Sequence, residues 1–194
     1  MKIIFLDMDG VVNSNELCRK WIENRWKIEE KNPNNLTDED VRLAVRKAYS
    51  DEFVMMEELV FPELAERITR IVKETGAKIV WSSTWRKLER YANIKDAQEM
   101  FNRRGLPGEA LIGYTPAHGM SWEGHNRGSE IAYWINNNIY GEVKKAAVID
   151  DRYDAGHCLP ECAYFFQTIE EYGITEEQTE QIINFFNEED ENGK

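Results

Sequence analysis

The chain has 194 residues, 42% of them hydrophobic, and a formal net charge of −12. Such a length makes one domain with a small insertion the default, and the composition excludes a disordered chain. No window reaches the ~18–20 apolar residues of a membrane span, and Met1-Lys2-Ile3-Ile4-Phe5-Leu6-Asp7 reads as a strand stopped by an acid, not an export signal. Three cysteines, Cys18, Cys158 and Cys162, are too few and too odd for a disulfide framework, so a cytoplasmic location is expected.

In chain order, the apolar run Ile3 to Leu6 comes first and ends at Asp7. Residues 14–60 hold two helical stretches, about Glu16 to Glu30 and Thr37 to Leu59, parted by Asn32-Pro33-Asn34-Asn35; they predict a small helical cap insertion. Pro62 to Thr75 sets Leu64, Ala65, Ile68, Ile71 and Val72 at helical spacing and stops at Gly76. Further apolar runs are Ile79 to Trp81 before Ser82, Leu111-Ile112 before Gly113, Ala146 to Ile149 before Asp150, and Ala163 to Phe166. Ser129 to Asn138 is amphipathic, and Thr175 to Phe186 opens as a capping box would, Thr-Glu-Glu-Gln. Continuous apolar strands alternating with helices predict an α/β fold: a doubly wound, Rossmann-like parallel sheet of about five strands, helices on both faces. Residues 1–13 and 61–187 would form the core, 14–60 the cap and 188–194 a frayed acidic tail.

Residues 170–194 carry nine acidic side chains and one lysine, so most of the negative charge belongs to the last helix and tail. It disfavours a broad duplex-binding surface but leaves room for an anionic substrate elsewhere. The absence of G-x-x-x-x-G-K-[ST] and of G-x-G-x-x-G after the first strand argues against a P-loop kinase and an ordinary dinucleotide fold.

Ligands of open parallel sheets bind beyond the carboxyl ends of the strands. There this sequence sets Asp7 and Asp9, Ser82-Ser83-Thr84, and Asp150-Asp151. One acidic pair after a strand is as well explained by capping or a turn. Two pairs at one end of a sheet would repel each other, and a hard, oxygen-seeking ion such as Mg²⁺ is the natural occupant.

Asp7-Met8-Asp9-Gly10-Val11-Val12 resembles the first motif, D-x-D-G-[VT], of the haloacid dehalogenase (HAD) superfamily. Ile79-Val80-Trp81-Ser82 is similar to its second motif, Arg127 stands where a Lys or Arg forms the third, and Val148-Ile149-Asp150-Asp151 resembles the fourth. Ser82-Ser83-Thr84-Trp85-Arg86, Gly113-Tyr114-Thr115-Pro116 and Asp150-Asp151-Arg152 are similar to the branch with polynucleotide kinase–phosphatases and RNA-repair phosphatases. The resemblance implies a Mg²⁺-dependent phosphomonoester hydrolase. Asp7 would be the nucleophile, Asp9 the acid and base, and Ser82 and Arg127 the phosphate ligands. Asp7, the main-chain carbonyl of Asp9 and Asp151 would hold the metal, with Asp150 the second choice to Asp151. The implied substrate is a nucleotide or nucleic-acid-end phosphate, with no membrane and no obligate protein partner. The alternatives are a small phosphorylated metabolite, or a binding module that keeps the fold without turnover.

Other features compete with these. Lys144 and Lys145 rival Arg127 but suit a solvated strand entry. Asp154 either supports the site or lies on the surface. His157, Cys158 and Cys162 lack the fourth ligand that zinc normally requires. His118 and His125 fall in a glycine-rich loop expected to border the site. Trp21 and Trp26, among Arg19, Lys20, Arg25 and Lys27, could stack on bases; a helix burying one Trp accounts for them more simply.

Overall fold

A computed structural model describes residues 1–28, 57–116 and 126–188. Strands β1 (Lys2–Leu6), β2 (Lys78–Trp81), β3 (Leu111–Tyr114), β4 (Lys145–Asp150) and β5 (Ala163–Gln167) form one sheet in the order β3-β2-β1-β4-β5. Every pairing is parallel, with Leu6 opposite both Trp81 and Ile149. All carboxyl ends therefore face the same way.

Five helices surround the sheet among the described residues: α1 (Asn15–Ile28), α2 (Pro62–Thr75), α3 (Ile94–Arg103), α4 (Arg127–Asn137) and α5 (Glu176–Asn187). Because strand side chains alternate, β1 feeds two cores. Ile4 and Leu6 join Ile68 of α2, Phe101 of α3 and Ile182 of α5, while Ile3 and Phe5 join Ile131 and Trp134 of α4. Ile3, Ile4, Phe5 and Leu6 are all fully buried, which is why that strand has no polar alternation. The five-stranded, doubly wound α/β sheet expected from the sequence is what the chain forms. The strand order reverses between β1 and β4, and α4 is the crossover that passes behind the sheet.

α2 begins with Pro62 in its first turn and ends at Gly76, φ 69°, whose N–H donates to the Val72 carbonyl at 2.9 Å. α5 carries the capping box on Thr175 and Gln178. Helix α3, which the pattern of apolar runs left unassigned, buries Ala97, Met100 and Phe101 against the first core and is capped by Asn93.

Cys18 of α1 is part of the first core, and Leu17 and Trp21 pack against it. The start of the expected cap is thus fastened to the body, with Asn15 N–H and Glu16 N–H donating to the carbonyls of Glu170 and Glu171. The expected second cap helix lies outside the described residues apart from 57–59, as do the side chain of Trp26, both loop histidines His118 and His125, and residues 189–194. Among the described residues no helix is long and apolar enough to cross a membrane.

Candidate active site

The reversal of strand order opens a crevice between the carboxyl ends of β1 and β4, where parallel sheets accept ligands. Asp7 follows β1 directly, its N–H continuing the ladder to the Ile149 carbonyl at 3.1 Å. Asp150 closes β4, and Asp151 is the next residue. One carboxylate oxygen from each of Asp7, Asp150 and Asp151 lies within 4.8 Å of the others.

Asp7 and Asp150 are buried. Asp7 Oδ1 accepts from the Met8 N–H at 2.8 Å and Asp150 Oδ1 from the Arg152 N–H at 2.9 Å. These bonds do not offset the loss of water. Burial pushes the Asp7 carboxyl up despite the neighbouring Arg127 charge, and Asp9 adds to the effect. Burial, then the charge of Asp7, raises Asp150, and the same two causes raise Asp151 to about 6.

Arg127 opens α4, whose first turn is capped by Asn126 accepting from Ser129 N–H at 2.8 Å. Its Nη1 stands 3.5 Å from Asp7 Oδ1 and 3.4 Å from Asp150 Oδ2. Neither Nη1 nor Asp150 Oδ2 completes a hydrogen bond, although both are buried. A donor and an acceptor left unsatisfied in one crevice are costly unless a ligand completes them. The donor set of three carboxylates is all hard oxygen, and a divalent cation would remove their mutual repulsion; the residues fit Mg²⁺.

Gly10 makes this convergence possible. Its φ is 67°, and a Cβ there would stand 2.7 Å from Asp151 Cβ. Gly128 serves α4 similarly, because a Cβ would collide with the His157 carbonyl. The Arg127 N–H also donates to Asp154 Oδ2 at 3.3 Å, and Arg152 Nε to Asp154 Oδ1 at 3.0 Å, so Asp154 ties the turn after β4 to the start of α4.

Ser82 follows β2, buried, its N–H donating to the Leu6 carbonyl at 2.8 Å and its Oγ accepting from Thr115 Oγ1 at 3.3 Å. Asp9 is oriented differently from Asp7. Its carboxylate lies outside the three-oxygen group, with Oδ2 accepting from Trp85 Nε1 at 3.0 Å and Oδ1 from Asn13 Nδ2 at 2.9 Å. Lys144 and Lys145 stand at the opposite end of the sheet, where Lys145 Nζ donates to the carbonyls of Phe185 and Glu188 at 2.9 and 2.7 Å. No second group of three ligand atoms occurs among the described residues, so His157, Cys158 and Cys162 do not converge there. His157 instead packs edge-on to Tyr153 at 4.4 Å.

Three contributors escaped the sequence. Trp85 and Arg86 lie within a motif that assigns them no role, and Asn13 falls just past the Asp7–Val12 motif. A short polar side chain three residues after the positive-φ glycine was the available signal, since Asn13 Oδ1 accepts from the Gly10 N–H at 2.8 Å. Arg86 forms a buried ion pair with Glu130 of α4 at 2.6 Å and donates to carbonyls of Ser83, Thr115 at 3.0 Å and Pro116 at 3.3 Å. It therefore joins the loops after β2 and β3 to the helix that carries Arg127.

Such a crevice, with an acidic pair on each of two adjacent parallel strands, defines an α/β fold of the haloacid dehalogenase type. A family model described as the HAD domain in Swiss Army Knife RNA repair proteins matches residues 3–179, and the chain belongs to that family. Membership implies phosphohydrolase-type chemistry. Comparisons with curated proteins and with solved structures gave no match.

Proposed function

We propose that this protein is a Mg²⁺-dependent phosphomonoester hydrolase that acts through an aspartyl-phosphate on Asp7. The observation that carries the reading is the meeting of Asp7, Asp150 and Asp151 within 4.8 Å, beside an Arg127 guanidinium with hydrogen-bonding capacity to spare. Asp7, Asp150, Asp151 and the Asp9 carbonyl would hold the cation, which supplies positive charge for the nucleophile and the phosphoryl oxygens. Arg127 and Ser82 bind and orient the phosphoryl group. A carboxylate oxygen of Asp7 attacks phosphorus while the phosphorus–oxygen bond to the leaving group breaks, and Asp9 gives its proton to the departing oxygen. Water then attacks the same phosphorus, its proton passing to Asp9 as the Asp7–phosphorus bond breaks.

The family description, RNA repair, supports a phosphorylated RNA end or a nucleotide as the substrate class. Asp7→Asn keeps the shape and removes the nucleophile. It is expected to fold normally and to lower kcat by about 10³-fold or more. Near-native turnover by this variant would refute the covalent route. A substrate panel in which a sugar phosphate far outpaced every nucleotide and RNA end would refute the substrate class.

A further inference from the structure

We propose that Trp85 and Asn13 are positioning residues that aim the Asp9 carboxyl at the leaving-group oxygen, an inference that rests on the phosphatase reading above. Asp9 lies on the turn after β1, partly open to solvent. Two donors hold its carboxylate. The Trp85 indole N–H reaches across from the loop after β2 to Asp9 Oδ2 at 3.0 Å, and the Asn13 amide meets Oδ1 at 2.9 Å. Turning the carboxyl plane would cost both bonds.

Both donors are themselves held. Trp85 is 2% exposed, and its ring belongs to the main core. Its N–H donates from a short 3₁₀ turn, Thr84–Lys87, which Ser83 caps. Asn13 is clamped by the Gly10 N–H donating to its Oδ1 at 2.8 Å. An indole N–H can only donate, so it cannot take the proton that Asp9 must deliver. Trp85 and Asn13 thus fix the direction in which the Asp9 carboxyl faces.

In the first step the proton moves from Asp9 to the leaving oxygen as the Asp7–phosphorus bond forms and the ester bond breaks. Esters with poor leaving groups need that proton, and highly activated aryl esters do not. Positioned proton transfer is typically worth about 10²–10⁴-fold, and a misplacement of about 1 Å costs about 10²-fold. Because kcat/KM reports only steps through phosphorylation of Asp7, it isolates this event from the later attack by water.

The experiment compares kcat/KM for an alkyl phosphate and 2,4-dinitrophenyl phosphate with saturating Mg²⁺. Trp85→Phe, which keeps a ring in the core but removes the N–H, is expected to lower the alkyl value about 30–100-fold and the activated value less than about 3-fold. Asn13→Asp keeps the acceptor for the Gly10 N–H but replaces the donor with a like charge, and should show the same asymmetry if Trp85→Phe folds poorly. Asp9→Asn supplies the reference pattern. Equal losses on both esters in both variants, or no loss on either, would overturn the positioning role. If Asp9→Asn lacks the asymmetry, the assignment of Asp9 as acid fails and the role of its two donors with it. A wild-type protein that cleaves neither ester overturns the phosphatase reading itself.

Discussion

Gly10 is the residue on which the site's compactness turns, since its φ of 67° and the closeness of Asp151 both exclude a side chain. For an alanine, the left-handed conformation alone costs about 1–2 kcal/mol, and the 2.7 Å approach to Asp151 must be relieved by moving that carboxylate. Gly10→Ala is therefore expected to lower stability by about 2–3 kcal/mol in urea unfolding. It should also weaken Mg²⁺ binding by about 10-fold or more in calorimetric titration, because displaced supporting groups commonly cost 10–100-fold in metal affinity. A stability loss with unchanged Mg²⁺ affinity would show that Asp151 is not a ligand. At the same scale, Trp21 packs against the core and Arg19 pairs with Glu171 at 2.5 Å, while Lys20 pairs with Glu16 at 2.5 Å. These placements support a packing role for the first turns of α1 over a base-stacking one.

Between elements, a second fastening outside the crevice is at Glu57, which precedes α2 and is 4% exposed. Its carboxylate accepts from Tyr91 Oη at 2.8 Å and pairs with Arg103 at 3.2 Å, with Arg104 at 3.8 Å and with Arg90. One buried acid thereby joins the end of the expected cap to both ends of the segment that contains α3. The surrounding arginines differ in exposure, so the loss from breaking the cluster is set mainly by the buried members. Glu57→Ala leaves the Tyr91 hydroxyl and Arg104 without that partner, and is expected to cost about 1–3 kcal/mol. Chemical denaturation of the purified variant measures it; a change below about 0.5 kcal/mol would mean that the cluster contributes no more than a surface pair. Arg86 has the parallel role at the crevice, and its pairing with Glu130 explains how two loops and α4 keep one register.

Over the whole molecule, the parallel sheet carries three carboxylates to one point, and the single Arg127 charge beside Asp7 and Asp150 balances only part of theirs. The ion-free fold retains the remaining repulsion, so a cation that binds only the folded state should stabilise it. At a Mg²⁺ concentration of about 100 times the dissociation constant the gain is about 2.7 kcal/mol. For a chain of this size that corresponds to a rise in Tm of about 5–10 °C. Thermal unfolding with MgCl₂ against NaCl of equal ionic strength tests this, and Asp151→Asn should abolish most of the difference. Equal effects of the two salts would place the stabilisation in general screening of the −12 net charge rather than in the crevice.

The features legible in the chain alone were periodic or punctuated. The five apolar runs became the five strands: β1, β2 and β4 are buried on both faces and cannot tolerate polar alternation, while the edge strands β3 and β5 are only partly covered. Pro62, Gly76 and Thr175 marked helix ends because each answers a local backbone requirement. The acidic pairs at Asp7 and Asp150 were legible for the same reason, as ionisable residues directly following apolar strands. Helix α3 was not, since its three buried residues are scattered among polar ones and its role depends on the neighbour it covers. Likewise, no spacing could tell that Asp9 faces Trp85, 76 positions away, or that Arg86 reaches Glu130, 44 positions away. Those pairings arise on folding, because hydrogen bonds between separate loops depend on strand order, and strand order is a property of the assembled sheet rather than of any local stretch of chain.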